Sequence, residues 1–499
     1  MSHDEKPASA GLGKAVKKGA AWTLTGRGVI TLLTLGASVV LARLLEPADF
    51  GMFGIAMIFN GLATRFGNVG FGLALVQRKE IREEHISSLF VSNLVMFFTM
   101  AALLNLAMPL IGALFDSALT GRVVGATALV FLTTPFSSVP RVLMQRRMDF
   151  KSSIIANIID HLVAAVTAVA LAFGGFGVWS LVGGQLLGTL SGTIMLVIKS
   201  GWRPRFGYSQ AAMRDLYTFG AGLFVKNLLI YGADKIDYLI IGKSLGPTAL
   251  GFYEKAFNLM DIAVKELSHK MSMVLFSAFS KIQDDRHKIQ AAYSKVIMTL
   301  SLLCFPVFFG LFLVAPTFVT VVFGEKWLPS ALSLQILCVA GILRMHLQVT
   351  STIVNALGKV SAEIWRRATA FVLLTVGCWL GSFWGITGVA IAVAISTAIL
   401  AVTMGSYLHK LTGLTWHNSL QPQGPAFIAS AVMAGIVFAY QRWAEGVFGL
   451  HAPAVLFSSA LIGAIVYVIA LWILRPAPVV ALVQEFMTDL KPAARAAVR

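Results

Sequence analysis

Asp234–Phe257, DKIDYLIIGKSLGPTALGFYEKAF, is the stretch on which the reading of this chain turns. It closes one apolar segment, turns through Gly246-Pro247 and opens another. Yet it carries Asp234, Lys235, Asp237, Lys243, Glu254 and Lys255. It is also a near copy of an earlier stretch. Ala42–Phe53, ARLLEPADFGMF, aligns with Gly242–Tyr253, GKSLGPTALGFY. The shared pattern is a small residue, a base, Leu, Pro, a large apolar residue, Gly and an aromatic. Such a turn repeated 200 residues later predicts two related halves.

Outward from that stretch, the composition excludes a soluble globular protein: of 499 residues, 57% are hydrophobic and 13% charged. The mean hydropathy is +0.78. Apolar runs longer than about 18 residues recur throughout, and each is a candidate membrane helix. A net charge of +17 would suggest nucleic acid in a soluble protein, but here its distribution decides the matter. Cys304, Cys338 and Cys378 lie inside apolar runs without metal-ligand spacing, so neither disulfides, a metal nor a cofactor is expected. The polar start, MSHDEKPASAGLGKAVKKGA, reads as a cytoplasmic tail before an uncleaved first helix.

The expected fold class is an all-α integral membrane protein with about fourteen transmembrane helices. The spans read as 20–43, 49–76, 86–115, 123–144, 153–173, 176–198, 214–242, 249–274, 293–322, 330–357, 363–381, 384–408, 426–443 and 452–474. At about 1.5 Å per residue each can cross roughly 30 Å of hydrocarbon. With the N-terminus inside, the tails and even-numbered loops hold 27 of the 40 Lys and Arg, and the odd loops hold Arg43, Arg122, Lys243, Lys326 and Arg442. That bias places both termini in the cytoplasm, and no nucleic acid is needed to explain the charge.

The duplication extends further. Gly174–Val178, GGFGV, resembles Gly385–Val389, GITGV, and the Pro109 segment is echoed at Pro316. The expected organisation is a tail (1–19), a six-helix lobe (20–200), a second lobe (201–413), two additional helices (414–475) and a C-terminal tail (476–499). Parallel repeats suit an axis along the membrane normal and a cavity between lobes.

Eight bases remain in or near spans: Arg27, Arg65, Lys226, Lys235, Lys255, Lys265, Lys270 and Arg344. A charge at the bilayer centre costs about 2.5–3.5 kcal/mol on insertion scales, so these need water or partners. At helical spacing Lys226, Asn227, Asp234 and Asp237 share one arc of the seventh span. Glu254, Asn258, Asp261, Lys265 and His269 form a stripe on the eighth. Together the two stripes would line a hydrated interior. Arg27 reads either as a ligand or as a side chain snorkelling to the cytoplasmic surface. Arg344 reads either as lining a cavity or as packing. Asp234, Asp237, Glu254 and Asp261 either pair with the lysines or carry a coupling proton or sodium ion. Asp160-His161 in the fifth span is either a structural pair or a proton relay.

There is no GxxxxGK[ST], HExxH or GxSxG signature and no long odd loop, so an enzyme is not expected. Residues 41–85, LARLLEPADFGMFGIAMIFNGLATRFGNVGFGLALVQRKEIREEH, resemble the first helical hairpin of Wzx-type polysaccharide flippases. These belong to the multidrug/oligosaccharidyl-lipid/polysaccharide exporter superfamily, in the subgroup of colanic-acid and succinoglycan exporters. MQRRMDFK at 144–151, 234–260 and FGEKWLPSALSLQIL at 323–337 fit the same pattern. The resemblance implies flipping of undecaprenyl-pyrophosphate-linked oligosaccharide across a bacterial inner membrane for surface polysaccharide synthesis. It implies as partners the lipid substrate, the bilayer, and polymerase and export machinery of the same pathway. It also implies a cationic interior, with Arg27, Arg65, Lys226 and Lys265 as substrate-binding residues and Lys255 and Arg344 as further candidates. The acids near those bases leave open a cation-coupled multidrug antiporter of the same superfamily. A membrane glycosyltransferase or polymerase is the other alternative.

Overall fold

The computed structural model describes residues 8–67, 81–210, 231–265, 270–447 and 452–474, with Leu75 and Leu228 besides. Lys226, Asn227, His269, the start of the expected seventh span, the end of the second and the tail 476–499 lie outside these residues. Among the described residues every regular element is a helix. An apolar chain in hydrocarbon must satisfy its own backbone groups, and a helix does so within one segment.

In chain order the helices are α1 (Ala8–Leu44), α2 (Pro47–Gly67), α3 (Glu83–Leu106), α4 (Met108–Leu114), α5 (Ala118–Ala128), α6 (Thr134–Arg146), α7 (Phe150–Phe173) and α8 (Val178–Ser200). A helix over 231–244, α9, leads into α10 (Gly246–Val264) and α11 (Lys270–Lys281). Then come α12 (Arg286–Val322), α13 (Ser330–Ala356), α14 (Val360–Gly381), α15 (Gly385–Thr412), the short α16 (Trp416–Leu420), α17 (Gly424–Val447) and α18 (Ala452–Leu474).

Nine stretches among the described residues are long and apolar enough to cross a membrane, and a bent pair makes a tenth. One of the nine, Val360–Thr412, runs for 53 residues. At 1.5 Å per residue that is about 80 Å, so it holds two helices, α14 and α15. Neither α2 nor α10 is in this set. The first carries Asp49, Asn60 and Arg65, and the second Glu254, Lys255 and Asp261.

Several expected boundaries move. The third span breaks at Ala107, where Pro109 helps open α4. The fourth bends by 46° at Thr133, because Pro135 in the first turn of α6 has no N–H to give the preceding turn. The ninth starts earlier, at Arg286. Asp285 caps it there, with Oδ1 accepting from the Lys288 N–H at 3.1 Å, which holds this carboxyl below its ordinary pKa. Pro316 sits inside the continuous 37-residue α12, so the echo of Pro109 is one of sequence and not of geometry. The glycine echo is likewise out of register. Positive φ occurs at Gly177 and Gly385, whereas the aligned partner of Gly177, Gly388, is helical and packs on Gly381.

By its contacts the chain divides into two compact units, Met1–Glu254 and Lys255–Arg499. In the first, α7 and α8 form a hairpin in which Gly184 and Gly188 let the backbones close on Ala164 and Ala168. Among the described glycines, those of the duplicated turn make the closest approaches. A Cβ on Gly51 would overlap the Pro247 carbonyl, and a Cβ on Gly251 would overlap the Pro47 carbonyl. The two copies therefore meet reciprocally, each glycine receiving the other's proline carbonyl. Gly246, at φ +83°, makes the second turn possible. In the second unit Trp327 is fully buried, and Phe308 fills the space left by Gly341. The last two helices pack on α12 through Met433, Val437 and Tyr467, and the Tyr467 hydroxyl donates to the Leu302 carbonyl at 2.7 Å.

Gly51→Ala and Gly251→Ala should each destabilise the detergent-solubilised protein by about 1–3 kcal/mol, since a backbone carbonyl cannot swing aside. Gly28→Ala, with nothing near its Cβ position, should leave the thermal midpoint unchanged or raise it. Thermal unfolding of the three variants checks this.

Candidate functional site

The first unit holds a cavity of about 580 Å³ among α1, α6 and α7. Thr23 and Arg27 reach it from α1, Arg141 from α6, and Ser153, Asn157, Asp160 and His161 from α7. The α7 residues recur at three and four, so helical geometry alone puts them on one face. Gly26 lets α1 come close to α7, for a Cβ there would overlap the Ile154 side chain. Arg141 Nη1 donates to Asn157 Oδ1 at 3.2 Å, and His161 Nδ1 lies 2.9 Å from the Asn157 carbonyl. Arg27 is exposed in this cavity. Two guanidinium groups facing one cavity make a site for an anion, because their forked N–H donors match phosphate and carboxylate oxygens.

Arg65 is elsewhere in the same unit. Its guanidinium lies 3.8 Å from the centre of the Tyr231 ring, and Nη1 donates to the Gly61 carbonyl at 2.9 Å. Tyr231 is itself pinned, its hydroxyl donating to the Ile58 carbonyl at 2.7 Å. Asp234 is exposed. Asp237 is only 2% exposed and accepts from the Tyr253 hydroxyl at 2.7 Å. The two aspartates of the seventh span thus differ in environment although they are three residues apart. Glu254 is half-buried with its carboxylate against Gly54, where a Cβ would come within 2.6 Å of Oε2.

In the second unit Lys255 is 7% exposed, with Nζ 5.4 Å from the Phe323 ring centre and 5.5 Å from that of Trp327. Such a seat stabilises the cation through the ring faces. Arg344 is half-buried over Phe257 at 4.9 Å. Lys265 Nζ contacts Asp261 Oδ2 at 2.6 Å, one turn apart on the same helix, with the lysine side chain 66% exposed. On α10, Asn258 is exposed while Tyr253, Ala256, Phe257 and Met260 are buried, and Lys265, just past its end, is exposed.

Within the first unit the structure sets Arg27 in the cavity and Arg65 on an aromatic ring. Arg141 and Asn157 were missed from the sequence. Arg141 is counted among the bases of the cytoplasmic side, though its position inside residues 123–144 is a signal that it can face inward. Asn157 carries no charge and stands out only through its spacing from Asp160 and His161.

The sequence profile of a family described as "Polysaccharide biosynthesis protein" matches residues 40–332. The chain is 25% identical over 468 residues to the teichuronic acid biosynthesis protein TuaB of Bacillus subtilis strain 168, covering 92% of this chain and 95% of that one. It is 29% identical over 332 residues to the lipopolysaccharide biosynthesis protein WzxC of Escherichia coli K12, covering 65% and 67%. It is 24% identical over 463 residues to the succinoglycan biosynthesis transport protein ExoT of Rhizobium meliloti, covering 91% and 92%. In fold it resembles the lipid II flippase MurJ in an inward closed conformation, with a TM-score of 0.73 at 14% identity over 91% of this chain and 98% of that one. It also resembles an inward-facing multidrug resistance MATE family transporter, with a TM-score of 0.62 at 16% identity over 77% and 96%.

Tyr231→Phe should cost about 0.5–1.5 kcal/mol of stability, the worth of one hydrogen bond. Tyr231→Leu should cost a further 0.5–2 kcal/mol or so, because it also removes the ring beneath Arg65. Thermal unfolding of the two variants side by side measures both steps.

Proposed function

This chain belongs to the polysaccharide biosynthesis protein family, matched over more than half its length, and we propose that it is a flippase for lipid-linked oligosaccharide. Its substrate is a polyprenyl-pyrophosphate-linked repeat unit, carried from the cytoplasmic to the periplasmic leaflet for surface polysaccharide synthesis. The observation that carries the reading is the cavity that gathers Arg27 and Arg141 in an all-helical membrane fold. A pyrophosphate cannot enter hydrocarbon with its charge uncompensated. Guanidinium groups in a wet cleft replace its hydration by charge-assisted hydrogen bonds, while the polyprenyl tail stays in lipid. With the cytoplasm negative, each negative charge moving outward gains about 2.3 kcal/mol per 100 mV.

In this proposal the chain has fourteen spans in two six-helix lobes plus two C-terminal helices, and both termini face the cytoplasm of a bacterial inner membrane. Transport follows alternating access, the substrate site opening to each side of the membrane in turn. Arg65, Lys226 and Lys265 belong to the cationic path, with Lys255 and Arg344 supporting it from packed positions. Asp234, Asp237, Glu254 and Asp261 balance that charge. The protein performs no covalent chemistry, and it works beside the polymerase and export machinery of its pathway.

Arg27→Glu and Arg141→Glu should each abolish polymer export in a strain lacking the wild-type gene, with lipid-linked repeat units accumulating on the cytoplasmic leaflet. Membrane insertion, followed by immunoblot of the membrane fraction, should be retained. Normal polymer from both variants would refute the proposal.

A further inference from the structure

Asp160 is the one acid among the residues lining the cavity, with His161 and Arg141 as its electrostatic neighbours there. Its carboxylate is half-buried and makes no hydrogen bond or ion pair among the described residues. Two glycines of α8 keep room for it. A Cβ at Gly188 would come 3.0 Å from Oδ1, and a Cβ at Gly192 would come 2.8 Å from the Asp160 Cβ and 3.2 Å from Oδ2. A side chain at either position would press on the carboxylate. The α8 surface is therefore cut back where the Asp160 carboxylate sits, and Asp160 also lines the cavity.

A carboxylate repels phosphate oxygens, so the part of a ligand lying over Asp160 must donate hydrogen bonds. Its neighbours on the same face of α7 suit a neutral polar ligand: Ser153 offers a hydroxyl, Asn157 an amide and His161 an imidazole. Along the helix axis Asp160 stands about 4.5 Å beyond Asn157, the residue that Arg141 holds. Guanidinium groups and hydroxyl acceptors thus lie side by side in one cavity. We propose that this face of α7 is a carbohydrate subsite, in which Asp160 accepts hydrogen bonds from the hydroxyls of the sugar joined to the pyrophosphate. The phosphates rest on Arg27 and Arg141. This rests on the flippase reading and adds to it the part of the substrate that is read. At about 580 Å³ the cavity falls within the range of small-ligand sites, so it holds the headgroup and its nearest sugar and not a whole repeat unit.

The test uses the full chain in lipid nanodiscs with two probes, undecaprenyl pyrophosphate and the same lipid carrying a single hexose. The wild type should bind the hexose-bearing lipid about tenfold more tightly, the worth of one hydrogen bond to a charged group. In Asp160→Asn that affinity ratio should fall to about one. Gly192→Ala, which displaces the carboxylate without removing it, should lower the ratio in the same direction and covers the case of an unstable Asp160 variant. A wild-type ratio of one, or a ratio unchanged in both variants, overturns the subsite while leaving the flippase reading intact. Failure of the wild type to bind either lipid overturns that reading and the subsite with it.

Discussion

The first unit is organised around a backbone contact that only glycine permits. Gly51 and Gly251 each receive the other repeat's proline carbonyl, so two helix starts approach closer than any side chain would allow. The exchange is reciprocal, as at an isologous interface, here formed within one chain. It also explains why the two copies of the turn keep Pro and Gly four residues apart. Proline provides a rigid helix start, and glycine one turn later clears the space for the opposite copy's carbonyl.

Charge in this protein is accommodated in distinct ways, and the differences carry functional meaning. Lys255 is withdrawn against Phe323 and Trp327, and Arg344 and Arg65 lie on rings. Lys265 pairs with Asp261 on its own helix. Aromatic faces and neighbouring acids offset the cost of bringing such groups toward hydrocarbon. Arg27 and Arg141 instead face a cavity with an acid, an amide and an imidazole. That set can bind a ligand with both anionic and hydroxyl-bearing parts.

How much of this was legible beforehand depends on the range of the signal. The all-helical character follows from run length and composition, and on α10 the 3.6 period sets the exposed Asn258 apart from the buried Tyr253, Ala256, Phe257 and Met260. Span ends were less legible, because proline has opposite outcomes in similar surroundings: Pro135 accompanies a bend, whereas Pro316 passes through an unbroken helix. Neighbouring packing decides between those outcomes, and no local window contains it. Arg141 shows the same limit. By charge alone it counts with the cytoplasmic bases, while the bend at Thr133 and the partner Asn157 bring it into the cavity.

The sequence by itself determined that this is a polytopic helical membrane protein built on a repeated proline–glycine turn, because hydrophobic run length and local backbone preference are properties of neighbours in the chain. The tertiary structure alone decided that the two turns meet through each other's carbonyls, that Asp237 is buried while Asp234 is exposed, and that Arg27, Arg141 and Asp160 share one cavity. These depend on which helices approach and how closely, and that is set by side chains on different helices of the chain.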